Sequence, residues 1–154
     1  MPKQSAGLLM YRRHEGRLQV LLAHPGGPFF QNKDEGVWTI PKGEPEPDED
    51  LLDAAWREFQ EETSIEPVGP FTPLTPVKQK GGKAVHAWTF EGDCDPSTLV
   101  SNTFTMEWPP KSGRQMEFPE MDKAEFFDLD TAKSKINPAQ VSLLEELEKA
   151  EANR

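Results

Sequence analysis

The chain has 154 residues, 35% hydrophobic and 29% charged, with 4 Trp and 9 Phe, which suits one compact core and offers no apolar run long enough to cross a bilayer. Its net charge of −10, from 17 Lys and Arg against 27 Asp and Glu, excludes the basic footprint of a protein that grips a long nucleic-acid backbone, so no DNA duplex binding is expected. The single Cys94 excludes internal disulfides and cysteine-rich zinc frames, and the opening MPKQSAGLLMYRR is no secretory leader; the expectation is a soluble protein of the cytoplasm, with no membrane partner.

Short apolar runs at 5–11 and 18–24, on either side of a Glu15-Gly16 turn signal, predict two paired strands. The stretch 24–28 (HPGGP) follows as a loop. Residues 36–40 predict another strand, ended by Pro41, and Pro45 and Pro47 hold the chain out of a helix until Asp48 can cap one. From 49 to about 63, Leu52, Ala55, Trp56 and Phe59 fall at the i, i+3, i+4, i+7 spacing of an amphipathic helix. Strands are then expected at 71–80, 84–91 and 125–129, separated by Gly81-Gly82 and by a long polar loop from 92 to about 123. Asn137-Pro138 starts a closing helix that runs to about residue 150 through Val141, Leu143, Leu144 and Leu147. No repeat or second domain is visible, so residues 1–154 read as one domain.

Charge is concentrated in one place. Between Gly43 and Glu66 ten carboxylates face a single base, Arg57. A helical residue advances about 100°, so Glu58, Glu61 and Glu62 share one side, expected to point away from the apolar stripe. Like charges on neighbouring turns repel by a few tenths of a kcal/mol per pair, and a hard divalent cation with oxygen ligands would remove that conflict.

Gly43, five residues, Glu49, seven residues and then Arg57-Glu58-Phe59-Gln60-Glu61-Glu62-Thr63-Ser64-Ile65 resembles the Nudix box, G-x5-E-x7-R-E-U-x-E-E-x-G-U with U a bulky apolar residue. Only Ser64, where the family has glycine, departs from it; a left-handed helix end costs a non-glycine about 1 kcal/mol. The resemblance implies an α/β fold, a Nudix-type α/β/α sandwich around a mixed sheet, with the box at 43–65. It implies Mg²⁺ or Mn²⁺ held by Glu58, Glu61 and Glu62 with the Gly43 carbonyl. Glu58, Glu61 and Arg57 take the family's catalytic positions, and Arg57 with Glu49 corresponds to the pair that braces the loop against the helix.

The family's reaction is attack of water on a phosphoanhydride in a nucleoside diphosphate linked to some group X. A general base is expected on the loop before the penultimate strand, Glu120 first and Glu117 second. Lys42 is a candidate phosphate contact, and with Trp38 it lies in the run Trp38-Thr39-Ile40-Pro41-Lys42-Gly43, similar to the lead into the box of diadenosine polyphosphate hydrolases and RNA 5′-pyrophosphohydrolases. Phe29, Phe30, Trp88 and Trp108 are candidate stacking aromatics, and Lys78, Lys80 and Lys83 a candidate basic island; His24 and His86 read as structural. The implied substrate is a dinucleoside polyphosphate, with a triphosphorylated RNA 5′ end or an (oxidised) nucleoside triphosphate as alternatives. The alternative of another class is a non-catalytic, nucleotide-sensing domain.

Overall fold

The computed structural model describes residues 3–79 and 81–152. Strand β1 (Gln4–His14) turns at Glu15 and Gly16, both at positive φ, into β2 (Arg17–Pro25). The two strands pair only from Tyr11 to His14 on β1, and beyond that they splay. Into the opening comes the short β3 (Lys42–Gly43), which pairs with Ala6 and Gly7 of β1. Gly7 permits this approach: a Cβ there would stand 2.5 Å from the Pro41 carbonyl oxygen. Helix α1 (Leu51–Thr63) follows, then the two-residue strands β4 (Thr72–Pro73) and β5 (Val77–Lys78), and β6 (Ala84–Glu91), which runs parallel to β1. A separate antiparallel hairpin, β7 (Thr103–Glu107) and β8 (Gln115–Pro119), precedes β9 (Met121–Asp128), which completes the sheet against β2. Helices α2 (Leu129–Lys135) and α3 (Val141–Ala152) close the chain.

The sheet is mixed, ordered β4-β6-β1-β2-β9, and sits between α1 on one face and α2 with α3 on the other. Period-two alternation makes this possible. On β1 and β2, Leu8, Met10, Leu21 and Ala23 face α1, while Leu9, Tyr11, Val20 and Leu22 face Leu143, Leu144 and Leu147 of α3. No helix among the described residues is long and apolar enough to cross a membrane.

Several expectations change. Residues 36–40 form no strand; isolated bridges join Thr39 to Ala23 of β2 and Trp38 to Ile136, just past α2. The strand expected at 71–80 is broken into β4 and β5, since Pro73 and Pro76 remove ladder donors, and Lys80 lies outside the described residues. Asp50 rather than Asp48 stands at the start of α1. The expected long loop carries the β7–β8 hairpin, and α2 is an additional helix.

The buried face of α1 is Ala54, Ala55, Phe59 and Thr63, with Leu52 and Trp56 only partly covered. Phe59 is fully buried and meets Phe90 edge to face at 5.3 Å. Truncating Phe59 to Ala is expected to lower stability by about 3–5 kcal/mol, read as a fall in the urea midpoint with unchanged m.

Candidate active site

The site grows from the meeting of β3 with α1. Glu49 and Arg57 form a two-pronged ion pair: Nε and Nη2 of Arg57 each donate at 3.0 Å to a Glu49 carboxylate oxygen. The same guanidinium donates to the Glu44 carbonyl at 3.2 Å, and Glu49 accepts from the Glu46 N–H at 2.8 Å. The loop carrying Gly43 is thus tied to the helix by one planar cation whose fork matches a carboxylate. These contacts hold the Glu49 carboxyl below its usual range and raise Arg57 further.

Arg57 Nη1 also lies between Glu58, at 2.9 Å, and Glu61, at 3.3 Å. The box carboxylates do not all face away from the core, as the helical wheel suggests. The Glu58 side chain is 16% exposed and that of Glu61 39%, while Glu62 is nearly enclosed. The loop and β3 roof this edge of α1, which turns an outward face into a half-buried one.

Burial then acts on grouped charge. Glu62 is pushed up to about 8, first by desolvation and next by repulsion from Glu58 and Glu120. Glu58 is raised for the same first reason, against the pull of Arg57, and Glu120 is raised by lost hydration and by Glu61. Four carboxylates therefore share one electrostatic field. Among the described residues no three acid, imidazole or thiol groups yet converge on one metal-sized point, because Arg57 stands between Glu58 and Glu61. The residues nonetheless fit a hard divalent ion: Glu62 Oε2 is buried without a partner, and every donor is oxygen. Gly43 completes the fit, since a Cβ there would lie 2.1 Å from Glu58 Cδ.

Lys42 reaches the same place. Burial, followed by the nearby Lys83, lowers its ammonium, while Glu62, Glu44 and Glu58 oppose the shift. It lines a crevice of about 210 Å³ with Phe30, Thr39, Gln79, Asn137 and Gln140. A larger concavity, about 600 Å³, lies between the β1–β2 turn and α3 and shares no residue with the box.

Trp38 requires a correction. Its indole is 2% exposed, donates to Asp34 at 2.8 Å and packs edge-on against His24 and Phe127, so it is a core residue with no face for a ligand. Trp88 is likewise packed against the sheet core, whereas Phe29 is exposed and meets Trp108 edge to face at 5.6 Å. Glu117 points from the middle of β8, opposite Thr105; Glu120 stands beyond the strand, facing the box acids. His24 is buried between Asp122 and the Lys33 carbonyl, at 2.8 and 2.7 Å, a role in holding loops together. Residues 100–102, which bond to both α1 and Glu120, escape sequence reasoning; the only hint of them is Ser64 in place of glycine.

Fold and site together define a member of a known class: the chain matches the NUDIX domain family over residues 1–147 and belongs to it. It is similar to the curated Bis(5'-nucleosyl)-tetraphosphatase (asymmetrical) of Caenorhabditis elegans, with 38% identity over 65 residues. That alignment covers 42% of this chain and 43% of the relative, less than half of either. Among solved structures, a C. elegans Ap4A hydrolase binary complex superposes with a TM-score of 0.67 at 24% identity, covering 97% of this chain and 99% of that one. The NUDIX domain of Shewanella oneidensis NrtR, complexed with ADP ribose, gives 0.68 at 16% identity over 97% and 88%. These two likenesses speak to the fold.

Two predictions follow from the geometry. Gly43→Ala should weaken Mn²⁺ binding at least ten-fold by titration calorimetry while circular dichroism stays unchanged, because the added methyl displaces Glu58. In EDTA, Glu62→Gln should stabilise the chain by about 1 kcal/mol at pH 8 and by less at pH 5. A carboxyl raised from 4.5 to about 8 loses stability as pH climbs between those values, and the amide avoids that loss. Denaturant titrations at both pH values measure the difference.

Proposed function

We propose that this chain is a divalent-metal-dependent pyrophosphohydrolase that cuts a phosphoanhydride bond of a nucleoside diphosphate-linked substrate, with a dinucleoside polyphosphate as the preferred one. The observation that carries the reading is the enclosed, partnerless Glu62 Oε2 in mutual repulsion with Glu58 and Glu120. Such a cluster has a use only if positive charge joins it. The polyphosphate preference is supported by the likeness to the C. elegans tetraphosphatase.

Glu58, Glu61 and Glu62, with the Gly43 carbonyl, would hold Mg²⁺ or Mn²⁺. When bound, such ions supply charge neutralisation on phosphate oxygens and acidify water. Arg57 keeps Glu49 and the 44–46 loop against α1 and orients Glu58 and Glu61 from between them. Lys42 offers a point charge to a phosphate at the crevice mouth, and the crevice itself suits a nucleoside moiety. Glu120 takes the proton of the attacking water at its carboxylate; its raised affinity for protons, set by burial and Glu61, favours that task. A soluble nucleotide substrate agrees with a cytoplasmic setting.

Release of nucleotide and phosphate from a panel of diadenosine polyphosphates, ADP-ribose, nucleoside triphosphates and triphosphorylated RNA, with and without Mg²⁺, tests the proposal. Hydrolysis of none would leave a nucleotide-sensing domain. Glu58→Gln and Glu61→Gln are expected to lower kcat by orders of magnitude without unfolding the chain. Glu120→Gln should lower it by about 10²–10⁴-fold at near-normal KM, and a loss seen only for Glu117→Gln would move the base to that residue.

A further inference from the structure

Ser64 ends α1 in the left-handed region, φ 66° and ψ 17°, with its N–H donating to the Gln60 carbonyl at 2.7 Å. Glycine adopts that backbone without strain, and serine does not. The serine hydroxyl has an occupation of its own: it donates to the Val100 carbonyl at 2.7 Å. Val100 begins a three-residue segment that touches both halves of the site. The Asn102 N–H donates to the Glu61 carbonyl at 2.9 Å, and the Asn102 carbonyl accepts from the Glu120 N–H at 2.8 Å. Between them, Ser101 Oγ accepts from the Met121 N–H at 3.0 Å and donates to the Asn102 carbonyl at 2.7 Å.

We propose that Ser64 is a positioning residue: its hydroxyl fastens the 100–102 strap to the end of α1, and the strap sets the Glu120 carboxylate against Glu61. This rests on the role of Glu120 proposed above. Glu120 follows directly on the last residue of β8, and outside the strap its carbonyl accepts from the Gly26 N–H at 3.0 Å. Without Ser64 the Asn102–Glu61 bond would be the strap's one remaining hydrogen bond to α1 among the described residues, so the distance between base and box would widen its range. A general base acts only within hydrogen-bond reach of its proton, so such widening falls on turnover and leaves substrate binding alone. The substitution at the glycine position of the box thus has a function that glycine lacks.

The test is Ser64→Gly, which relieves the left-handed backbone and removes the hydroxymethyl group, read beside Ser64→Ala, which removes the hydroxyl alone. Two readouts are needed. Amide hydrogen exchange, followed residue by residue in the metal-loaded protein, should quicken at Asn102 and Glu120 while the core amides of β1 and β6 hold. Turnover of the preferred substrate should fall roughly five-fold, the equivalent of one modest hydrogen bond, with KM unchanged. In a Glu120→Gln background the same change should have no further effect on kcat, whereas a merely structural Ser64 would cost the same in both backgrounds. Unchanged exchange at Asn102 and Glu120, an unaltered kcat, or an equal loss in the Glu120→Gln background each overturns the proposal. A wild-type chain inactive on the whole panel removes the proposed reaction, and this role with it. Quickened exchange would then still show that the strap depends on Ser64, which separates the two failures.

Discussion

One guanidinium among four carbonyl and carboxylate partners organises the active region. Arg57 binds Glu49 on one edge and reaches Glu58 and Glu61 on the other, with the Glu44 carbonyl beside them. A lysine could neutralise one of these groups but could not present a planar fork to two directions at once. Because the pair with Glu49 is partly shielded from solvent, it also fixes where Gly43 lies along α1. Everything else at the site is a consequence of that placement: Glu58 against the backbone of residue 43, Lys42 over Glu62, and the partial burial that raises the carboxyls.

The box was legible because its two demands coincide on one helix. Charge at 58, 61 and 62 and bulk at 59 give a spacing that few other arrangements share, and Gly43 answers a contact visible only in three dimensions. The burial of that charge was not legible. A helical wheel knows only the helix, and Glu62 is enclosed by β3, a strand of two residues that owes its existence to the splay between β1 and β2. Trp38 misled for a related reason: it sits beside Lys42 in sequence, yet local order does not say which neighbour points inward.

The alternating strands β1, β2 and β6 were readable from their apolar content, since both faces of the sheet are covered. Helix α2 was not, having seven residues and only Leu129 and Ala132 buried. The β7–β8 hairpin carries alternation in Thr103–Glu107, but its faces are largely exposed, so the hydrophobic signal is faint. The strap at 100–102 left little pattern: Asn102 ties it to Glu61 and Glu120 through backbone groups that every residue possesses, and only the hydroxyls of Ser64 and Ser101 are particular to it.

The parallel ladder between β1 and β6 has a bearing on how the molecule comes together. Gln4 lies beside Ala84 and Tyr11 beside Glu91, so the second strand of the chain's central pair emerges from a ribosome long after the first. Helix α1 is synthesised in between and finds Leu8, Met10 and Leu21 of β1 and β2 already made, but the Phe59 ring still waits for Phe90, its edge-to-face partner. Contacts so distant along the chain are slow to form. Like charge along the helix's acidic face opposes association with other chains during that wait, so the charge that crowds the finished site also serves the unfinished one.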